Sequence, residues 1–170
     1  MTLTLRNATH ADAELIAGYE DEFFPGLAFD ECRIALTDDV EFMNVHEYLD
    51  DPETRIVLAS IDGQNAGYVV GWLHDGLIET LSIGVREAFR RRGLAAQLLR
   101  TMEDWGRENG ARISELESHA LQPAPSKFYP SQGYKHVRTE PGYYKDGGDG
   151  WIWQKDITVT QKLASGGLKS

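Results

Sequence analysis

The sequence predicts one α+β (mixed α/β) domain whose central sheet is mostly antiparallel. Three strand-like segments follow one another over residues 55–85 with only tight turns between them. A strongly amphipathic helix follows over residues 93–107. Strands and helices do not alternate regularly, so a doubly wound dinucleotide-binding fold is disfavoured. The length of 170 residues fits a single domain, predicted over residues 1–160 with a disordered tail over 161–170.

The N-terminal elements are predicted from short periodic patterns. Residues 2–6 alternate polar and apolar side chains, which indicates a strand. Thr9 is placed to cap a helix over residues 10–24, and Pro25-Gly26 ends it. The apolar face of this helix comprises Leu15, Ile16, Tyr19 and Phe23. Residues 37–49 carry a partial helical pattern and are predicted to contain a second helix.

The middle of the chain is predicted to form a meander of three strands. Residues 55–60 and 64–73 make a hairpin around the tight turn Asp62-Gly63. A second turn at residues 74–76 leads into a strand over 77–85. Because both turns are short, the three strands are expected to be antiparallel neighbours.

The C-terminal half supplies the remaining elements. The apolar stripe of the 93–107 helix comprises Leu94, Leu98, Met102 and Trp105. A strand over 112–118, a short helix over 126–132 and two strands over 134–138 and 150–157 complete the chain. Trp151 and Trp153 are expected to pack on the sheet. The whole prediction is a sheet of about seven strands flanked by about four helices.

Composition and charge exclude several classes of function. The net charge of −10 argues against nucleic acid as a partner, since phosphate binding needs surplus cation. No segment looks like a signal peptide or is apolar enough to cross a bilayer, which predicts a cytoplasmic protein without a membrane partner. Cys32 is the single cysteine, so no internal disulfide is possible. The five histidines lack ligand spacing, and no metal is expected.

One short basic segment stands out from an acidic background. Residues 1–85 hold 17 Asp and Glu but only three Arg. Four arginines then follow within seven residues: Arg86, Arg90, Arg91 and Arg92. Gly93 opens the long helix directly after them, where free backbone N–H groups and the helix dipole favour an anion. A turn of this kind suits a diphosphate group, although solvated surface arginines are the alternative explanation.

The same residues carry a family resemblance. Residues 90–95, Arg-Arg-Arg-Gly-Leu-Ala, match the (Arg/Gln)-x-x-Gly-x-(Gly/Ala) signature of the GNAT N-acetyltransferase superfamily. The segment from Tyr129 to Tyr134 resembles that family's Tyr-x-x-x-Gly-(Phe/Tyr) pattern, and the order of elements agrees over roughly residues 2–157. The resemblance implies a GNAT-like fold in which strands 4 and 5 splay apart to admit acetyl-CoA. It places a bulge near Gly84 as the cause of the splay.

The resemblance also implies a set of binding residues for acetyl-CoA. The diphosphate is expected on the turn formed by Arg90, Arg91, Arg92, Gly93, Leu94, Ala95 and Ala96. The pantetheine arm is expected along Ile83, Gly84 and Val85, where the Val85 N–H polarises the acyl oxygen. Gln122 stands where the family often has asparagine and can keep an amide contact, whereas Pro125 departs from the family's alanine.

Two residues are predicted to move protons. Tyr129 matches the family tyrosine near the coenzyme A sulfur and is expected to protonate the departing thiolate. Glu79 is the candidate base for the acceptor amine, because it lies on the fourth strand and shares a face with Val85 if that strand is regular. His119 is a weaker candidate for the same role. A packed aromatic ring and an exposed carboxylate are the structural alternatives.

The predicted reaction is direct transfer of an acetyl group from acetyl-CoA to a primary amine in a ternary complex. The acceptor side is expected to be acidic, which favours a cationic amine through electrostatic steering. The residues expected there are Asp21, Glu22, Asp30, Glu31, Asp38, Asp39, Asp146 and Asp149. Alternatives are a non-catalytic acyl-CoA-binding sensor or scaffold, and an acyltransferase that uses a longer acyl-CoA. The chain is expected to be a monomer or homodimer.

Overall fold

A computed structural model describes residues 1–24, 34–35, 43–144 and 146–158 of the chain. Its main sheet has these strands: β1 (Leu3–Asn7), β2 (Thr54–Ile61), β3 (Gln64–His74), β4 (Leu77–Val85), β5 (Ile113–His119), β6 (Lys135–Glu140) and β7 (Gly150–Asp156). The helices are α1 (Ala13–Phe23), α2 (Val45–Asp50), α3 (Leu94–Glu108) and α4 (Pro123–Ser131). Two further strands of two residues, Ile34–Ala35 and Met43–Asn44, pair with each other in parallel.

The main sheet has seven strands in the order β1-β2-β3-β4-β5-β7-β6. Every neighbouring pair is antiparallel except β4 and β5, which run in parallel. The meander of β2, β3 and β4 is the part that the two tight turns predict. The fold class, the element order and the mostly antiparallel sheet are therefore confirmed.

The parallel contact between β4 and β5 is short. Only Leu77–Thr80 pair with Ile113–Leu116, and the two strands separate beyond that point. The last residues of β4 consequently keep one edge without a strand partner. The predicted splay between strands 4 and 5 is present, and it opens toward the C-terminal ends of both strands.

The bulge in β4 lies at Leu81, so the expected position near Gly84 is wrong. Val70 pairs with Ser82 while the next residue of β3 pairs with Thr80, which leaves Leu81 as the extra residue. From Ser82 to Val85 the register is regular. One inserted residue reverses which face the following side chains occupy, so Glu79 and Val85 lie on opposite faces.

Helices cover both faces of the first four strands. On one face α3 packs against β3 and β4, and the buried residues there include Val69, Ile78, Leu98 and Met102. On the other face α1 and α2 cover β2 and β3, with Ile16, Tyr19, Tyr68 and Val70 buried between them. A third cluster joins α4 to β5 and β7; it comprises Leu99, Leu116, Tyr129, Tyr134 and Trp153. Trp153 thus packs on the sheet as expected.

Element boundaries differ from the sequence predictions chiefly in three helices. The α4 helix begins at Pro123 rather than residue 126, because proline is tolerated at the first helical positions. The first helix begins as a 3-10 turn over His10–Asp12 before α1. Of the second predicted helix, over residues 37–49, only residues 43–49 are described; Met43–Asn44 form a short strand there, and α2 begins at Val45 with Asn44 as its N-cap. Pro25-Gly26, Cys32 and the tail over 161–170 fall outside them.

Candidate active site

A cavity of about 710 Å³ opens where β4 and β5 diverge. One half of its wall comes from the turn before α3, the start of α3, and α4 with the residue before it. This half includes Arg90, Arg91, Ala95, Gln122 and Tyr129. The other half comes from α1 and the segment after β6, and includes Glu20, Phe23, Phe24, Tyr143 and Tyr144. The free edge of β4 lies between the halves. The cavity therefore connects the two faces of the sheet through its gap.

The turn before α3 has the backbone shape of an anion site. Arg91 has a φ of 61° and Gly93 a φ of 76°, so left-handed residues alternate with ordinary ones. Such alternation turns successive N–H groups toward a common point. The N–H groups of the first helical turn lack intrahelical acceptors and add to this concavity. No atom lies within 4 Å of the position a Gly93 side chain would take, so a ligand can approach the backbone.

The three arginines of the turn have different surroundings. Arg90 Nε donates to the Val85 carbonyl oxygen at 2.9 Å, which ties the turn to the end of β4. Arg91 lines the cavity. The Arg92 guanidinium instead lies over the Phe89 ring, 5.8 Å from its centroid. Of the other predicted residues, Ala95 lines the cavity, whereas Leu94 is buried in the core under α3.

The end of β4 presents backbone groups to the gap. The Arg86 N–H donates to the Ala66 carbonyl oxygen at 2.9 Å, which fixes the alternation of hydrogen-bonded pairs between β3 and β4. By that alternation the N–H and C=O groups of Ile83 and Val85 point away from β3 and into the gap. The hydrogen bond from Arg90 to the Val85 carbonyl agrees with this direction.

Gly84 lies on the α1 face and is required there by packing. A Cβ atom at this position would come 2.1 Å from Cδ2 of Phe23. The Phe23 ring therefore lies directly against the β4 backbone. It also lines the cavity, so Gly84 helps shape the wall on the α1 side.

Tyr129 lies in the α4 half of the cavity with its ring inside the core. The side chain is 8% exposed and packs beside Phe128, Tyr134 and Trp153. Among the described residues its hydroxyl has no hydrogen-bond partner. Burial, and secondly the charge of Glu117, raise the pKa of Tyr129 well above its usual value. The phenol is therefore held in its neutral, proton-donating form.

Glu117 is a cavity residue that the sequence analysis missed. It lies on β5 one residue beyond the last pair with β4, so its carboxylate belongs to the open part of the gap. Its charge acts on Tyr129 across the cavity. The available signal was its place on strand 5, since both strands of a splay border the gap. Sequence reasoning had considered carboxylates on strand 4 only.

Glu79 lies outside the cavity wall, contrary to the role expected of it. It occupies the part of β4 that is still paired with β5, directly beside Glu115. Its carboxylate is 2.8 Å from Nε2 of His74. Burial disfavours the charged imidazole, but hydrogen bonds to Glu79 and Asp75 outweigh this effect and raise the pKa of His74. The Leu81 bulge also separates Glu79 from the face of Val85.

Both ring nitrogens of His119 are also hydrogen-bonded to other groups. This residue is 5% exposed, Nδ1 accepts the Leu121 N–H at 3.2 Å, and Nε2 lies 2.8 Å from Asp146 Oδ2. With both ring nitrogens bonded, it does not fit the role of base for an acceptor amine.

The expected acidic wall is only partly described. Asp21, Glu22, Asp146 and Asp149 are not among the cavity-lining residues, and Asp30, Glu31, Asp38 and Asp39 lie outside the described residues. The acid on the α1 side is Glu20, which is 3% exposed and accepts a hydrogen bond from the Tyr68 hydroxyl. Ser82, also in the cavity wall, hydrogen-bonds to the same hydroxyl.

The described part of the chain contains neither a metal-binding cluster nor a membrane-spanning helix. Within residues 1–24, 34–35, 43–144 and 146–158, no group of three or more His, Cys, Asp or Glu side chains could hold a metal ion. None of the helices described there is long and apolar enough to span a bilayer.

Comparison with known proteins finds relatives among the acetyltransferases. The profile of the acetyltransferase (GNAT) family matches residues 15–134. An uncharacterized N-acetyltransferase of Methanocaldococcus jannaschii is 30% identical over 93 residues, which are 54% of this chain and 60% of that relative, less than two thirds of its length. An N-alpha-acetyltransferase of Sulfurisphaera tokodaii is 26% identical over 133 residues, covering 71% of this chain and 80% of the relative.

A solved structure shares the fold over nearly the whole chain. The crystal structure of Arabidopsis thaliana NAA60 in complex with acetyl-CoA superposes with a TM-score of 0.73 at 18% identity, covering 93% of this chain and 100% of that one. The splayed sheet, the arginine turn and the matched family profile lead to one conclusion. This chain belongs to the acetyltransferase (GNAT) family.

Proposed function

We propose that this chain transfers an acetyl group from acetyl-CoA to a primary amine by direct attack in a ternary complex. The observation that carries the proposal is the cavity through the gap of the sheet. It joins an anion-binding turn on one side to a carboxylate, Glu117, and a neutral phenol, Tyr129. These are the groups needed to bind the cosubstrate, accept a proton and donate one.

The α3 half of the cavity suits the cosubstrate. The N–H groups of the Arg91–Ala95 turn and the Arg91 guanidinium would bind the diphosphate. The backbone groups of Ile83 and Val85 that face the gap would pair with the amides of the pantetheine arm, as an added strand would. Gln122 lines the same half and adds a side-chain amide. The thioester would then lie at the end of β4.

Three groups at the gap would assist the reaction, one by stabilising charge and two by transferring protons. The Val85 N–H donates to the acyl oxygen and stabilises the negative charge that develops there. Glu117 accepts a proton from the amine, whose nitrogen then forms the C–N bond as the C–S bond breaks. Tyr129 donates its proton to the departing thiolate, and the second proton that leaves the nitrogen after the C–N bond forms restores the phenol. A thiol has a pKa of about 8.5, so this transfer is favourable from a phenol only while the thiolate is poorly solvated.

The α1 half of the cavity suits the acceptor. Its wall combines the Glu20 carboxylate with aromatic rings, and both favour a cation. Relatives named as N-alpha-acetyltransferases favour the α-amino group of a peptide or protein as the acceptor. An α-amine has a pKa of about 7.7–8.0, against about 10.4 for lysine, so Glu117 removes its proton more easily.

A pair of matched variants tests the proposal. Glu117→Gln removes the proton acceptor and is expected to lower kcat by about 10²-fold or more, measured as thiol release from acetyl-CoA with a peptide amine. Glu79→Gln is the control, because Glu79 lies outside the cavity, and it should leave kcat unchanged. The opposite pattern would return the catalytic role to Glu79.

The choice of acyl donor tests the alternatives. Wild-type protein is expected to release thiol fastest with acetyl-CoA when acetyl-, succinyl- and malonyl-CoA are compared over a panel of amines. Faster release with a longer acyl group would identify a different acyltransferase. Tight binding of acetyl-CoA without thiol release from any amine would identify a sensor and contradict the proposal.

A further inference from the structure

The segment over residues 141–149, between β6 and β7, supplies part of the acceptor half of the cavity. Tyr143 and Tyr144 belong to this segment and line the cavity wall. The Tyr144 ring stacks on His119 with centroids 4.8 Å apart and planes at 21°. A connection between strands holds such a position only if other contacts fix it, since loops are ordinarily the more mobile parts of a domain.

His119 provides the main contact from the sheet. It is the last residue of β5 and is 5% exposed. Its Nδ1 accepts the Leu121 N–H at 3.2 Å, so the ring proton is on Nε2 and is donated to Asp146 Oδ2 at 2.8 Å. The tautomer is therefore set by the backbone of the chain after β5. Asp146 completes the link by accepting the Gly148 N–H on its other oxygen at 2.8 Å.

The backbone of the segment lies close to the same imidazole. A Cβ atom on Gly148 would come 2.2 Å from His119 Nε2. The Ala120 N–H donates to the Asp149 carbonyl oxygen at 2.9 Å, and the Gly142 N–H donates to Asp149 Oδ1 at 3.0 Å. Asp149, at the end of the segment, is thus hydrogen-bonded both to the chain after β5 and to Gly142 at the start of the segment.

We propose that the His119–Asp146 pair is a positioning device for acceptor binding. The pair fixes the segment over 141–149 and with it the two tyrosines that form the acceptor wall. It touches neither the anion-binding turn nor Tyr129, so it acts on the acceptor and not on acetyl-CoA. The inference rests on the proposed function in assigning this half of the cavity to the acceptor.

Two substitutions of His119 separate its two hydrogen bonds. His119→Gln places an N–H donor near the position of Nε2 and keeps the link to Asp146. His119→Asn places an oxygen near Nδ1, keeps the bond to Leu121 and loses the link. Loss of one such bond is expected to raise the KM for the amine about three- to tenfold in His119→Asn, with the KM for acetyl-CoA unchanged. His119→Gln is expected to stay near wild type.

A second readout needs no turnover. Hydrogen–deuterium exchange over residues 141–149 is expected to become faster in His119→Asn and in Asp146→Ala, with α3 as an unchanged internal reference. The Asp146 side chain is half exposed, so replacing it is expected to leave folding intact. Asp146→Ala therefore tests the link even if substitution of the buried His119 unfolds the protein. Asp146→Asn retains one acceptor oxygen and replaces the other with an NH2 donor, so it can keep only one of the two contacts and is expected to give exchange between wild type and Asp146→Ala.

The outcomes separate this inference from the proposed function. Faster exchange in the segment together with a raised amine KM supports it. Unchanged exchange in both link-breaking variants overturns it, as does faster exchange with an unchanged amine KM. If wild-type protein acetylates no amine, the proposed function fails, and the exchange experiment still reports whether the pair fixes the segment.

Discussion

At the scale of single residues, the proposed chemistry depends on keeping Tyr129 protonated. Burial first, and the charge of Glu117 second, raise its pKa above the ordinary value of about 10. In the proposed reaction the neutral phenol is the proton donor, so wild-type activity should show no loss from Tyr129 ionisation at any pH below about 10. Tyr129→Phe is expected to lower kcat by about 10²-fold without changing the Kd for acetyl-CoA. Steady-state kinetics and calorimetry check both values.

Glycine positions offer a test of local packing. Gly84→Ala puts a methyl group 2.1 Å from the Phe23 ring and is expected to lower the free energy of unfolding by about 1–3 kcal/mol. Gly18→Ala is the control, because nothing lies within 4 Å of a Cβ there and alanine favours α1 by roughly 0.5–1 kcal/mol. Urea unfolding measures both. Equal stability of the two variants would contradict the close contact.

Some site residues were predictable from sequence and others were not. The positions of Arg91 and Ala95 in the cavity wall follow from the turn motif, because an anion site at a helix start requires particular residues in consecutive positions. The position of Tyr129 follows from the resemblance of residues 129–134 to the family pattern. The placement of Glu79 failed because the inserted residue, Leu81, has no distinctive side chain to mark a bulge. Glu117 carries no local pattern of its own, and only the splay implied by the family resemblance marks strand 5 as the second border of the gap.

At the scale of elements, Asp12 joins β1 to the start of the first helix. Its carboxylate is bonded by Arg6 at 2.7 and 2.8 Å and accepts the Thr9 N–H at 2.9 Å. The hydrogen bond from Arg6 chiefly, with the Thr9 N–H, lowers the pKa of Asp12 from 3.8 to about 2. A carboxyl with a lowered pKa stabilises the fold above its unfolded value, and this stability is lost as pH falls toward 2.

Asp12→Ala tests this joint. At pH 7 it is expected to lower the free energy of unfolding by about 1 kcal/mol, the usual cost of losing a capping carboxylate. The difference from wild type should shrink as pH falls from 4 to 2, where the native carboxyl becomes protonated. Thermal unfolding across that pH range provides the measurement. A difference that stays constant with pH would show that the carboxylate charge is not involved.

Element boundaries were predictable where the chain carries its own signals. The strands of the meander end at Asp62-Gly63 and at Gly76, and these positions take the positive φ values that such turns need. The α4 helix began three residues early because proline marks both a possible break and a good first residue. Sequence alone did not distinguish the two uses of Pro123.

At the scale of the whole molecule, a buried ion pair connects α3 to β7. Glu103 is 2% exposed and accepts hydrogen bonds from Lys155 Nζ and the Tyr134 hydroxyl, both at 2.9 Å. Ser114 hydrogen-bonds to the same tyrosine at 2.7 Å. Burial first, then the charge of Glu103, raise the pKa of Tyr134. The network thus joins elements on both sides of the gap.

Removing one member of the buried ion pair should lower the stability of the fold considerably. Lys155→Met leaves the Glu103 carboxylate buried without its cation and is expected to lower the free energy of unfolding by about 3–5 kcal/mol. The double variant Glu103→Leu with Lys155→Met removes both charges and should recover most of that loss. Urea unfolding of the two variants is the measurement. If both variants lose the same free energy of unfolding, the loss comes from packing and not from the unpaired charge.

The arrangement of distant strands could not be obtained from local patterns. Turns predict that β2, β3 and β4 are neighbours, but nothing local places β7 between β5 and β6 or makes β4 and β5 parallel. The family resemblance implies a splay between strands 4 and 5 but was not used to predict either pairing, so both are findings of the structure.

The four-residue parallel contact between β4 and β5 has a consequence for how tightly the folded chain holds together. Along the rest of that border the polypeptide supplies no strand-to-strand hydrogen bonds. A ligand lying in the border would supply them instead, so the melting temperature should rise with its concentration and fall again once product leaves. The melting temperature then reports what fraction of the protein has a ligand bound between β4 and β5.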